Sequence, residues 1–239
     1  MTFIWILGKG SRYNNDEIRY SIRSVEKYHP NARIVIVGEK PEWYTGEHHY
    51  FDDSDKCPYV NVWRKLEFAC TLADEFISMD DDFYLLRPFE PYFYTPGTLW
   101  MKVKNVGSLA GHWAYVVKAT YKELGDCLSF LEHAPLPINS AEFLDIARRY
   151  PNRLRAPSLI PRQIYCYNTH LFEVKDKPDL KIRGRFKPED ISDYPFFSIA
   201  DRFHKQKDSL DQLYPNPSKY EISKRLESDD KPKTNRHRL

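Results

Sequence analysis

Three short apolar runs, separated by segments of helical period, restrict this chain more than any other feature in it. Phe3-Ile-Trp-Ile-Leu7 closes at Gly8, and Arg33-Ile-Val-Ile-Val-Gly38 is a β-branched run also closed by glycine. Glu75-Phe-Ile-Ser-Met79 runs straight into Asp80-Asp81-Asp82. Between the first two, Ile18, Ile22 and Val25 recur at helical spacing behind the polar start Asn14-Asn15-Asp16-Glu17, and Pro30 ends the pattern. Before the third, Val62, Leu66, Ala69 and Ala73 share one helical face, which predicts a helix over 61–73. A short extra strand fits 49–51. Strands that alternate with crossover helices make an α/β domain, a mostly parallel sheet flanked by helices.

Beyond Arg87 the character changes. Pro88, Pro91 and Pro96 interrupt Phe89, Tyr92, Phe93 and Tyr94, a segment that reads as an irregular, aromatic-rich lid or acceptor surface. Residues 98–103 read as one more strand and 115–130 as a helix. Asn139-x-x-Glu142 caps a further helix ending near Tyr150. A length of 239 residues suits a single domain over 1–217, divided at Arg87 into a regular half at 1–87 and an irregular half at 88–217.

Charge separates the end from the rest. Residues 218–239 carry seven basic and four acidic side chains, so this basic C-terminal tail holds +3 of the overall +2 and the body holds −1. A near-neutral body neither demands nor excludes a polyanionic partner. The four cysteines, at 57, 70, 127 and 166, lack paired or zinc-type spacing and read as reduced thiols. No apolar run approaches the roughly 20 residues of a membrane span. With no leader pattern at the start, the expected compartment is the cytoplasm. The oligomeric state is open.

The strongest chemical signal is the carboxylate triplet after an apolar strand. Adjacent like charges repel, and burying them unpaired costs more, so a positive group is required beside them. At the C-terminal end of a parallel strand, where open α/β sheets bind ligands, a divalent ion is the simplest such group. Carboxylate oxygens suit Mg²⁺ or Mn²⁺, which would bridge the diphosphate of a nucleotide. If the strand continues, Asp80 and Asp82 face one way and Asp81 the other. A solvated acidic turn is the bland alternative, which the flanking Phe83-Tyr-Leu-Leu86 disfavours.

This strand-Asp-x-Asp pattern resembles the signature of GT-A-type nucleotide-sugar glycosyltransferases, whose Rossmann-like sheet presents acids to a metal-bound nucleotide sugar. A wider match is similar to the Stealth family of sugar-phosphate transferases. It comprises Glu17-Ile-Arg-Tyr-Ser-Ile-Arg-Ser24, then Ile34 to Val37, Pro41-Glu-Trp43, and Phe76 to Tyr84. His133-Ala-Pro135, the stretch from Arg162 to Tyr167, Phe196 to Asp201, and Leu213-Tyr-Pro-Asn-Pro-Ser218-Lys-Tyr-Glu221 follow the later family regions. The resemblance implies a compact relative of that family with a single GT-A domain over 1–217, its nucleotide-binding half at 1–87 and its acceptor half at 88–217. One departure is clear: where the family has an acid shortly after the glycine of its first strand, this chain has Gly8-Lys9-Gly10.

The resemblance and the ligand logic together imply a set of roles. Gly8, Lys9, Arg23, Lys65 and Asp80 would bind the nucleotide-diphosphate sugar, and Asp80 and Asp82 would hold Mn²⁺ or Mg²⁺. Asp81, His133, Arg162 and Asp201 are the catalytic candidates, Arg162 to neutralise the leaving diphosphate and Asp201 or His133 to handle a proton. Arg19 and Arg23, one turn apart, can clamp a phosphate or simply pair with acids. The expected activity is metal-dependent transfer of a sugar to an acceptor hydroxyl. The alternatives are Stealth-like sugar-1-phosphate transfer to a glycan, or glycosylation of modified DNA bases, with the tail and the aromatics at 92–94 and 100 gripping the polymer. A domain that only binds carbohydrate is a further possibility.

Overall fold

The computed structural model describes residues 1–8, 15–95, 97–106, 111–131, 133–176, 180–200 and 203–222. Its elements in chain order are β1 (Thr2–Leu7), α1 (Asp16–Tyr28), β2 (Arg33–Gly38), β3 (Glu47–His49), α2 (Pro58–Ala69), β4 (Glu75–Met79), β5 (Phe83–Leu85) and β6 (Phe93–Thr95). There follow α3 (Leu99–Val106), α4 (His112–Leu124), β7 (Leu136–Asn139), α5 (Ser140–Arg149), α6 (Pro161–Asn168), β8 (Val174–Asp176), β9 (Lys181–Ile182), β10 (Phe196–Ile199) and α7 (Lys207–Leu213).

The central sheet has the order β3-β2-β1-β4-β7, parallel except for β7, which runs antiparallel to β4. Alternation along β1 explains how both faces are filled. Phe3, Trp5 and Leu7 pack with Ile18, Ile22 and Val25 of α1, while Ile4 packs with Trp63 and Leu66 of α2, Phe143 of α5 and Ile164 of α6. Buried indoles find acceptors: Trp5 donates to Ser21 Oγ at 3.0 Å and Trp63 to the Leu159 carbonyl at 2.8 Å. The expected mostly parallel sheet with helices on both faces is what the chain builds. Among the described residues no helix is long and apolar enough to cross a membrane.

Two smaller pairings lie beside this sheet, β5-β10-β9 and β6-β8. The first matters for function because β4 stops at Met79, and the chain turns through Asp80–Asp82 before entering β5 in the second sheet. The acids therefore occupy a junction between sheets rather than a continuing strand.

Several local expectations change. Residues 99–103 lie within helix α3, not a strand: Leu99 and Val106, two turns apart, are buried on one face, and the β-like look of Trp100-Met101 comes from side chains that remain exposed. Helix α4 stops at Leu124 because Gly125 takes φ 74°, six residues short of Phe130. Helix α5 starts as expected, with Asn139 accepting from the Glu142 N–H at 3.1 Å. The aromatics at 89–94 are not a lid, since Phe89, Phe93 and Tyr94 are buried and the Lys175 ammonium sits 3.1 Å from the centre of the Tyr92 ring. A surface for gripping a polymer has to be sought elsewhere. The cysteines are free thiols.

The segment from Ser218 to Ile222 packs on the body. The Thr45 N–H donates to the Tyr220 carbonyl and the Ile222 N–H to the Trp43 carbonyl, both at 2.9 Å. Glu221 is thereby delivered to α1, where Arg19 Nη1 and Arg23 Nε each donate to it at 2.6 Å and Arg23 Nη2 at 2.8 Å. The two motifs Glu17-Ile-Arg-Tyr-Ser-Ile-Arg and Ser218-Lys-Tyr-Glu221, far apart in sequence, are thus the halves of one ion-pair clamp. Residues 223–239, the rest of the basic tail, lie outside the described residues.

The clamp predicts a pH dependence. Burial pushes the Glu221 carboxyl up, but hydrogen bonds from Arg23, the Ser218 N–H and Arg19 outweigh it and hold the group below the usual glutamate range. A carboxyl depressed in the folded state contributes stability that is complete above the unfolded glutamate value, about 4.3, and is lost as pH falls through the folded one. Denaturation midpoints measured from pH 6 downward should fall through that window, and E221Q should flatten this part of the curve.

Candidate active site

A cavity of about 850 Å³ opens at the C-terminal ends of β1 and β4. Its floor comes from Ile6 of β1, Ser78 of β4 and Leu136 of β7, and Pro58, Tyr59, Val62 and Leu66 of α2 close one side. Asp80, His133, Arg162 and Lys181 form a charged wall facing this apolar lining, and Trp113 stands at the mouth, its ring centre 6.3 Å from that of Tyr59. Between β1 and β4 the chain's crossovers change direction, the place where such sheets expose a crevice for ligands.

Each charged group reaches the wall for a local reason. Arg162 is the second residue of α6, behind Pro161, which suits the first helical position; one of its nitrogens donates to the Ala134 carbonyl, and its guanidinium lies 6.0 Å over the Phe83 ring. His133 precedes β7 and meets Phe83 edge-on. Lys181 arrives from β9. In register it faces Ser198 of β10, which in turn faces Phe83 of β5, so the lysine side chain crosses the small serine position toward the Asp80–Asp82 turn. Its ammonium stands 3.5 Å from Asp82 Oδ2 and 3.1 Å from His133 Nδ1.

The electrostatics follow from this crowding. Burial raises Asp82 to about 8, with the neighbouring charge on Asp80 adding to the effect and Lys181 opposing it. Asp80 opens to the cavity yet is ringed by protein atoms, so desolvation raises it too, against the pull of Arg162 and Lys181. Asp81 faces the other way. Burial, then the charges of Glu17 and Asp80, bring it to about 6. His133 is pushed down to about 3 by burial and by the cations Lys181, Arg162, Lys102 and Arg183, so it is neutral at physiological pH.

Of the sequence-derived site residues, Asp80, Asp82, His133 and Arg162 come together around the cavity. Gly8 ends β1 nearby. Lys9 and Asp201 lie outside the described residues. Two expected donor ligands are engaged elsewhere: Arg23 is taken by Glu221, and Lys65 is buried, donating to the Leu7 carbonyl at 2.8 Å and pairing with Asp53 at 2.5 Å. That contact needs Gly38, whose φ is 125° and whose added Cβ would meet the Leu7 oxygen at 1.9 Å. K65M is therefore expected to cost about 3 kcal/mol of stability by leaving Asp53 unpaired, a fall in melting temperature of about 6–12 °C. Thermal denaturation checks this. Lys181 was missed from the sequence because a two-residue strand carries no local signal.

The cation expected at Asp80 and Asp82 can be tested against the donor set. Among the described residues no three His, Cys, Asp or Glu side chains converge as a complete protein cage for a metal ion, and an ion such as Mg²⁺ held through one or two carboxylates takes its other ligands from substrate phosphates and water. The outer oxygen of Asp82 and the ring nitrogens of His133 already face an ammonium. The chain itself thus places a cation, Lys181, beside Asp82, where the divalent ion was expected.

No protein-family model matches the chain. Two exopolysaccharide phosphotransferases of Streptomyces coelicolor are similar to parts of it. One is 31% identical over 90 residues, covering 31% of this chain and 10% of its own length; the other is 23% identical over 223 residues, covering 76% and 36%. The chain thus spans about a tenth and about a third of the length of these curated relatives. Among solved structures, the galactosyltransferase LgtC in complex with donor and acceptor sugar analogs aligns with a TM-score of 0.46 at 11% identity, over 95% of this chain and 99% of that one. The apo form of the glycosyltransferase GlyE of Streptococcus pneumoniae TIGR4 gives 0.38 at 10% identity, over 73% and 44%.

Proposed function

We propose that this chain is a GT-A-type transferase that moves a sugar from a nucleoside-diphosphate sugar to the hydroxyl of a glycan acceptor. One observation carries the reading: a carboxylate turn at the end of a central parallel strand stands beside Arg162 and Lys181 on one wall of a cavity large enough for a nucleotide sugar. The cations bind the diphosphate, and the apolar wall of α2 with the Tyr59–Trp113 pair receives rings. In the reaction the acceptor oxygen attacks the anomeric carbon and the bond from that carbon to the diphosphate breaks. The electron pair leaves on the diphosphate, where Arg162 meets the developing charge. The acceptor proton passes to the carboxylate of Asp80, the member of the 80–82 turn that lines the cavity. His133, neutral and engaged by Lys181, orients that ammonium instead of acting as base.

A second reading, sugar-1-phosphate transfer, is favoured by the names of the two Streptomyces relatives. There the acceptor attacks phosphorus and the nucleoside monophosphate leaves. Incubating the protein with a panel of nucleotide sugars and glycan acceptors, then identifying the freed nucleotide, separates the two. Release of a diphosphate supports glycosyl transfer, release of a monophosphate supports sugar-phosphate transfer, and no consumption of any donor removes both.

A further inference from the structure

We propose that Lys181 is a resident cation that, with Arg162, holds the donor's diphosphate in the place a divalent ion would take, so that this site binds its donor without a metal. The inference rests on the transferase reading above and names a donor-binding residue that neither motif nor resemblance points to.

The second sheet makes it possible. Because β10 lies between β5 and β9, and Ser198 is the residue in register with both Phe83 and Lys181, the lysine side chain has only a hydroxymethyl group to cross before reaching Asp82. A larger residue at 198 would deflect it. Lys181 is four-fifths buried, yet it also lines the cavity. An ammonium has three N–H donors. One is directed at Asp82 and one at His133, which leaves the third for an anion in the cavity.

The placement of the cations points the same way, since Lys181 and Arg162 both line the cavity beside Asp80. An added divalent ion within bonding reach of Asp82 would sit beside an ammonium and be repelled, whereas a diphosphate that bridges Lys181 and Arg162 meets two fixed donors. When the sugar–diphosphate bond breaks, the charge arriving on the leaving oxygens falls on these two groups, and no ion has to enter or leave.

Calorimetric titration of the full chain with inorganic pyrophosphate and with UDP, GDP and ADP, once in EDTA and once in Mn²⁺, tests this. Affinity in the chelator should equal that in Mn²⁺. K181M should lose about tenfold or more, the worth of a charge-assisted hydrogen bond, and K181R should recover most of it. Melting curves of both variants keep the comparison to folded protein, and K181R carries it if K181M does not fold. Binding that appears only with Mn²⁺, or K181M binding as the parent does, overturns the inference and leaves the transferase reading standing. If no probe binds in either buffer, the transferase reading itself fails and this inference falls with it.

Discussion

Replacing Arg162 with alanine is expected to lower kcat by about 10²–10³-fold, the usual cost of removing one preorganised donor at a developing oxyanion. The guanidinium is held before substrate arrives: Pro161 starts α6, the Ala134 carbonyl takes one nitrogen, and Phe83 lies beneath the plane. Arg162 lines the cavity together with Asp80, whose charged form it favours. Because the group is already oriented, little reorganisation is needed as the diphosphate departs. R162K retains the charge but not the planar fork, so it should fall between the parent and alanine. Steady-state kinetics with the donor found in the nucleotide-sugar panel measure this. An unchanged kcat with only a raised KM would mean that Arg162 binds donor and transition state equally and would remove its assigned role.

The largest stability effect is expected at the far end of the described chain. E221A should cost about 4 kcal/mol, because it leaves Arg19 and Arg23 buried against Trp43 and Tyr20 without their carboxylate. For a chain of this size that is a fall in melting temperature of about 8–16 °C. E221Q, which can still accept hydrogen bonds, should lose less. Both variants lie away from the cavity, so kcat measured well below the new midpoint should remain that of the parent. If E221A melts like the parent, the clamp is a surface ion pair of little worth.

Much of this was legible in the sequence, for identifiable reasons. The strands β1, β2 and β4 are continuous apolar runs because parallel strands are buried on both faces, and α1 and α5 carry their own start and stop signals. The Asp80–Asp82 turn was conspicuous because three adjacent acids are costly. What failed to show was whatever depends on partners distant in sequence. Arg23 looks like a phosphate ligand until Glu221 arrives beside it, and Lys65 until the Leu7 carbonyl and Asp53 do. The aromatics at 89–94 look like a surface because prolines break their periodicity, and only tertiary packing buries them. Lys181, the group that answers the acids, sits in a strand of two residues, recognisable only once β10 is beside it.

The Glu221 clamp also sets an order of events during synthesis. Arg19 and Glu221 are 202 residues apart, so a ribosome has made nearly all of the described fold before the carboxylate emerges. Until then Arg23 lacks its carboxylate and Arg19 keeps only Asp16, beside Trp43 and Tyr44, whose edge lacks its last strand-like partner. This closure comes last, as the most non-local contacts do. Chains stalled short of it display a cationic, aromatic face that the finished chain covers.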